Sequence, residues 1–180
     1  MPTILGQLPV NCAVPIIVVQ HVAPAFADHF CAWIAESTHL PLQEARAGEE
    51  LAAGTIYMIL RGPSLELDTR YASCLVAKNA DARKQGPAVD ALFFSAARVF
   101  GPNAFAALLS GMGDDGARGL KAIADAGGHT VVQSEESAVY KGMPHAATSL
   151  TQAHEVLSRD AIALALASAT RGKPRLPWVR

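Results

Sequence analysis

The sequence predicts an α/β fold: a doubly wound, mostly parallel sheet in three layers, with a β-hairpin insertion around residues 42–77. Three observations carry that reading. Short strand-like runs alternate with helical patterns along the chain. The runs at Pro15–Gln20, Ala104–Ser110 and Thr130–Gln133 are apolar nearly throughout instead of alternating, which marks strands buried on both faces. A glycine-rich segment, Gly111–Gly116, joins one such run to a helix, as βα turns of these sheets do. The chain has 180 residues, 51% of them hydrophobic and 17% charged, with mean hydropathy +0.21. That is a length for one domain with a substantial core, expected over residues 1–170, followed by a basic tail over 171–180 that holds Arg171, Lys173, Arg175 and Arg180.

The elements follow in order. Ile4–Leu8 is a short apolar patch without a clear cap. Pro15–Gln20 reads as the first buried strand. Pro24–Ser37 reads as a helix, with Phe26, Phe30, Trp33 and Ile34 at helical spacing. Leu42–Ala45, Thr55–Leu60, Leu65–Leu67 and Ser73–Ala77 are short strands, with Gly62-Pro63-Ser64 as a turn. Pro87 opens a helix whose apolar face carries Val89, Leu92, Phe93 and Ala96, with Asp90 suited to its positive end. Ala104–Ser110 is the second buried strand, and Ala117–Ala126 a helix stopped by Gly127-Gly128. Thr130–Gln133 is the third buried strand. Asp160–Thr170 is the final helix, capped by Ser158 or Asp160.

In such sheets the working face is the carboxyl end of the strands. Three loops leave strands there, at Gln20-His21, Gly111–Gly116 and Gln133–Gly142. Composition narrows what they do. A net charge of −1 and 6% aromatic residues argue against nucleic-acid binding. Cys12, Cys31 and Cys74 form no C-x-x-C pair and read as small hydrophobes in a reducing cytoplasm. His29 and His39 read as surface residues. His129, His145 and His154 lack zinc-ligand spacing, so no metal is expected. No apolar run approaches the ~18 residues of a membrane span. Asp114 is expected to cap its loop, and Glu135 and Glu136 to satisfy backbone donors in theirs.

The glycine loop can be read two ways. Literally it is G-x-G-x-x-G after a strand and before a helix, with Glu135 about 20 residues on, which outlines a dinucleotide site. Asp114 and Asp115, however, put carboxylates where a pyrophosphate would sit. In the other reading the acid belongs there. It accepts a hydrogen bond from an imidazole, fixing its tautomer, while backbone N–H groups of the loop donate to an oxyanion. His21, at the end of the first strand, is the candidate imidazole.

Five ordered blocks then carry a family resemblance. I-I-V-V-Q-H-V-A-P-A-F resembles a strand ending in Q-H-M-P-P-G-F in the chemotaxis protein-glutamate methylesterases, the CheB catalytic domains. Q-E-A-R-A-G-E-E-L-A-A-G-T-I-Y is similar to their E-A-x-x-G-E-x-L-x-x-G-x-x-Y hairpin, and G-P-A-V-D-A-L-F-F-S-A-A to their R-P-S-V-D-x-L-F-x-S-x-A helix. L-L-S-G-M-G-D-D-G-A-R-G-L resembles the most specific signature of the family. G-G-H-T-V-V-Q-S-E-E-S-A-V-Y-K-G-M-P-H-A-A follows it through a further strand into a G-M-P-x-x-A helix. The resemblance implies a Ser-His-Asp triad that hydrolyses γ-glutamyl methyl esters on the methylated helices of chemoreceptors, without metal or organic cofactor. It places His21 as general base, Asp115 as orienting carboxylate and the Met112 backbone N–H as an oxyanion donor.

The chain departs from that pattern in ways that matter. The nucleophile of the family sits in G-A-S-T-G-G between a strand and a helix, and Met1–Leu5 aligns within that helix, so this chain holds no nucleophile. Ser110, Ser134 and Ser137 do not sit on a strand-to-helix elbow. The absent strand is central in the family, and its loss would bare backbone groups on both neighbours. The expectation is that Met1 is an internal methionine of a longer chain, and that the polypeptide as written has little esterase activity. Ile59–Ser64 and Gln85-Gly86-Pro87 replace family motifs near the site, which favours a second reading as a non-catalytic receptor- or partner-binding module. The receiver domain usual in the family is not in this sequence, so control by phosphorylation is expected to lie elsewhere.

Overall fold

The computed structural model describes the chain except residues 62–63, 69–74, 78–87, 152–154 and 172–180. The expected turn at Gly62-Pro63, Cys74, the altered Gln85-Gly86-Pro87 segment, His154 and nearly all of the basic tail lie outside the described residues. The chain begins with helix α1 (Pro2–Leu5), strand β1 (Ile16–Val19) and a 3-10 turn (Pro24–Phe26) that leads into α2 (Ala27–Ala35). Strands β2 (Leu42–Glu44), β3 (Ile56–Ile59), β4 (Leu65–Leu67) and β5 (Leu75–Ala77) follow, then α3 (Val89–Phe100), β6 (Phe105–Leu108) and α4 (Ala117–Asp125). The chain continues through β7 (His129–Gln133), α5 (Gly142–Leu150), β8 (Glu155–Leu157) and α6 (Arg159–Ala169).

Two three-stranded parallel sheets form the middle layer, in the orders β1-β3-β2 and β6-β7-β8. The antiparallel pair expected within 42–77 is formed by β4 and β5, whereas the Gln43–Tyr57 stretch, similar to a family hairpin, is not one. β2 and β3 pair in parallel, Leu42 opposite Ile56, and only β4 and β5 form an antiparallel pair. The reason is connection length. Residues 45–55 return the chain to the end where it started, which a two- to five-residue hairpin loop would not do. All four residues of β3, Ile-Tyr-Met-Ile, are buried, as a central parallel strand requires. β8 was not expected from the sequence: it is three residues long, edges its sheet, and leaves Val156 exposed.

Side-chain alternation sorts the helices onto two faces. Ile16 and Val18 pack with Leu5, Leu8 and Ile34, while Ile17 and Val19 turn the other way, toward Leu92 and Phe100. Ala106 and Leu108 join Val89, Leu120 and Ile123, and Phe105, Ala107 and Leu109 face Ile4, Ile162 and Leu166. So α1, α2 and α6 cover one face and α3, α4 and α5 the other. Ser158 caps α6 as expected, its hydroxyl accepting from the Ala161 amide.

α3 and α4 cross at close range through Gly119. A Cβ built there lies 2.6 Å from Phe93 Cβ and 3.0 Å from the Asp90 carbonyl oxygen. Helix propensity favours alanine over glycine by about 1 kcal/mol, but forcing two packed helices apart costs about 1–3 kcal/mol. Gly119→Ala is therefore expected to lower stability, read as a fall in the urea midpoint without a change in slope.

Candidate active site

The three loops at the carboxyl ends of β1, β6 and β7 meet. His21 follows β1, and its Nε2 lies 2.9 Å from Asp115 Oδ2. An ionised carboxylate only accepts, so the proton sits on Nε2 and the lone pair on Nδ1. The imidazole is half-exposed and the carboxylate partly buried, at 48% and 28% of side-chain surface.

Asp115 has more partners than the imidazole. Oδ2 accepts from the Val89 amide at 2.9 Å and Oδ1 from the Asp90 amide at 3.0 Å. These are the first two residues of α3, whose own N-cap, Ala88, has no side chain to offer. Asp90 returns the favour at the start of α4. Its Oδ1 accepts from the Gly119 amide at 2.8 Å and its Oδ2 from Arg118 Nε at 3.2 Å, where the N-cap is Gly116. The two helices thus cap each other's N-termini across the chain. Gly116 has φ +91°, and a Cβ there would meet Val89 Cγ1 at 2.6 Å and Leu108 Cδ1 at 2.7 Å. Glycine is required both for the turn and for the approach of α3 that brings Asp115 to its partners.

Charge follows from this wiring. Hydrogen bonding to Asp115 raises the pKa of His21, opposed by burial and reinforced by the carboxylate charge. Burial pushes the Asp115 carboxyl up. The hydrogen bonds from His21 and from the Val89 and Asp90 amides, with the His21 charge, outweigh it and hold the carboxyl at about 2. The opposite shifts are two sides of one interaction.

The glycine loop is laced to the β7–α5 loop. Gly111 N–H donates to Tyr140 O, Met143 N–H to Gly111 O, and Tyr140 N–H to the Ser110 hydroxyl. The Ser110 amide donates to Gln133 Oε1. The Met112 amide has no partner among the described residues, and the residue is 75% exposed. Ser134 and Ser137 hydrogen-bond to each other, and Ser137 also accepts from Gln133 and the Arg159 amide. No hydroxyl among the described residues hydrogen-bonds to His21.

Three smaller expectations change. The Asp114 carboxylate does not cap the loop; its backbone carbonyl does, accepting from the Ala117 amide. Glu135 pairs with His145 Nδ1 at 3.2 Å and Lys141 at 3.8 Å instead of with backbone donors, because His145 rises beside it from the first turn of α5. Asp90 acts on the next helix as well as sitting at the start of its own. The dinucleotide reading loses its physical basis: both helix N-termini beside the glycine loop are occupied by carboxylates, leaving none for a pyrophosphate. Near the altered Ile59–Ser64 segment, Arg61 is held by Glu44 and Asp28. No group of three His, Cys, Asp or Glu side chains able to hold a metal occurs among the described residues. No helix there is long and apolar enough to cross a membrane.

Comparison with known proteins agrees with the fold and the motifs. A family profile described as CheB methylesterase matches residues 1–166. A protein-glutamate methylesterase/protein-glutamine glutaminase of Anaeromyxobacter dehalogenans is 39% identical over 95% of this chain and 50% of its own length. One from Carboxydothermus hydrogenoformans is 37% identical over 92% of this chain and 50% of its own length. The chain therefore spans about half the length of these curated relatives. The crystal structure of the Thermotoga maritima CheB methylesterase catalytic domain superposes with a TM-score of 0.86 at 29% identity, covering 93% of this chain and 89% of that one.

Proposed function

Since the chain belongs to the CheB methylesterase family, we propose that it supplies the base and the orienting acid of a site that hydrolyses glutamyl methyl esters on the methylated helices of chemoreceptors. The observation that carries this reading is the 2.9 Å bond between His21 Nε2 and Asp115. It leaves Nδ1 as the basic nitrogen and puts a charge behind the imidazolium that would form.

The chemistry is acyl transfer in two steps. His21 takes the proton of a serine hydroxyl as its oxygen attacks the ester carbonyl. The tetrahedral oxyanion is met by backbone donors, with the Met112 amide as candidate. His21 then gives the proton to the methoxide leaving group, releasing methanol. Water, activated by the same imidazole, cleaves the acyl-serine and frees the glutamate carboxylate. The relatives are named for a glutaminase as well, which is the same transfer at a glutamyl amide with ammonia as leaving group. A protein substrate fits the rim of the site, where Met112, Val139 and Tyr140 are exposed at 75%, 83% and 54%; exposed apolar clusters of this kind mark protein-docking surfaces.

Serine-directed phosphonate labelling tests the reading. The chain as written is expected to stay unlabelled. The chain extended at its N-terminus by a strand and a G-x-S-x-G-G turn is expected to be labelled at the new serine, with labelling lost in His21→Ala. A folded, extended chain that resists the reagent would instead support the non-catalytic docking module, the reading favoured by the altered Ile59–Ser64 and Gln85-Gly86 segments.

A further inference from the structure

α3 and α4 begin side by side, and two aspartates bind them crosswise. Asp115, two residues ahead of α4, reaches the Val89 and Asp90 amides at 2.9 and 3.0 Å. Asp90, the second residue of α3, reaches the Gly119 amide at 2.8 Å. Gly119 is the third residue of α4, so its own helix leaves that amide unpaired. Asp90 therefore works at both ends of one short stretch: its N–H holds Asp115 and its carboxylate holds Gly119. It is 7% exposed, and its second oxygen pairs with Arg118 at 3.2 Å. Asp115 Oδ2 is shared, accepting from the Val89 amide and lying as close to His21 Nε2, both at 2.9 Å.

We infer that Asp90 is a positioning residue for the His21–Asp115 pair: by pinning the Gly119 amide it fixes where the Asp115 carboxylate stands, and with it the orientation and tautomer of the imidazole. The inference rests on reading His21 as the base. The argument is one of reach. An aspartate side chain is short, so its oxygens move with its own backbone. That backbone belongs to the loop entering α4, and the first turn of α4 is tied to α3 by Asp90. A shift of about 0.7 Å takes a 2.9 Å bond past the distance at which it still counts as one, and catalytic groups need placement to within about 0.5 Å. The place of the acceptor matters here, not its charge. The charged groups facing the two aspartates are Arg118, from α4 onto Asp90, and His21, from the β1 loop onto Asp115; Asp114 in the glycine loop is exposed. His21 answers to its hydrogen bond with Asp115, to burial and to the Asp115 charge, so Asp90 reaches the imidazole only through where Asp115 stands.

The test separates charge from placement in the full chain and needs no turnover. Asp90→Asn keeps an oxygen for the Gly119 amide and drops the charge. Asp90→Glu keeps the charge and moves the acceptor by one methylene. Asp90→Ser, whose hydroxyl stops short of the Gly119 amide, is a second variant with a misplaced acceptor. Imidazole ¹H–¹⁵N NMR spectra over a pH titration give the His21 midpoint and tautomer together, with His21→Ala identifying the signals. Wild type and Asp90→Asn are expected to share a midpoint above 6.5 and the Nε2–H tautomer. In Asp90→Glu and Asp90→Ser the midpoint should fall toward 6.5 and the tautomers should mix. Ile34→Ala, a core truncation on the opposite face of the sheet, should leave both readings at the wild-type values. A folded Asp90→Glu or Asp90→Ser with wild-type readings would overturn the inference. So would their loss in Asp90→Asn, which would make charge the agent, or in Ile34→Ala, which would make it general loosening. Asp115→Asn tells the two levels apart. If it leaves the His21 midpoint unmoved, the esterase reading and this inference fall together. If it lowers the midpoint while Asp90→Glu and Asp90→Ser do not, the role of Asp90 falls alone.

Discussion

Methanol release from methylated receptor fragments is expected to rise by about 10⁶-fold when a strand and a serine-bearing glycine turn are joined ahead of Met1. The same chain with that serine changed to alanine should return to the level of the unextended protein. The magnitude follows from how triads fail. Their members act as a unit, so removing the nucleophile alone costs nearly as much as removing all three. The unextended chain is expected to retain only what backbone donors and substrate docking supply. His21→Ala in the extended chain should therefore be about as severe as loss of the serine, and His21→Ala in the unextended chain should change nothing measurable. Unextended chain that turns over well above its His21→Ala variant would show that another hydroxyl or an activated water does the work, and would overturn the assignment.

What could be read from the sequence, and what could not, divides along physical lines. β1, β6 and β7 were legible because strands buried on both faces write themselves as unbroken apolar runs, as in Ile16–Val19 and Val131–Val132. β2 and β3 were found, but their pairing was mistaken for a hairpin. Nothing local to Leu42–Glu44 or Ile56–Ile59 records whether the intervening chain turns back or crosses over. β8 escaped because Glu-Val-Leu at a sheet edge carries no period. The candidate site divides in the same way. His21 and Asp115 stand 94 positions apart, and they were paired by their places at two strand ends and by motif resemblance, not by any local signal. Asp90 was seen as an acid at the start of its own helix. Its bond to the Gly119 amide depends on how α3 crosses α4, and that crossing is set by a glycine whose helical context alone would favour alanine. Reciprocal capping is a tertiary fact, invisible until both helices are placed.

Asp115 should be the residue where stability and chemistry separate. Asp115→Ala strands the Val89 and Asp90 amides at the start of α3 along with the imidazole, and is expected to cost about 2–3 kcal/mol. Asp115→Asn keeps one acceptor oxygen for the helix start and should cost much less, yet it puts an amide where the imidazole needs an anion. In the extended, active chain its kcat is expected to fall by about 10⁴-fold. The pH dependence gives the signature that a merely structural role would not produce. The Asp115 carboxyl is depressed from 3.8 to about 2 in the folded chain. Its contribution is therefore complete above about pH 4 and fades as the pH drops toward 2, and is worth about 1–2 kcal/mol after allowing for its partial exposure. His21 is shifted the other way, so its contribution is complete below about pH 6.5 and fades as the pH rises through its elevated folded value. Both contributions are present only between about pH 4 and 6.5, where urea midpoints of the wild type should peak relative to Asp115→Asn. Catalysis needs the imidazole neutral, so the acid limb of kcat/KM in the extended chain should lie above pH 6.5 and move down in Asp115→Asn. A limb that stays in place, with stability curves that remain parallel across this range, would mean that Asp115 caps α3 and does not govern the imidazole.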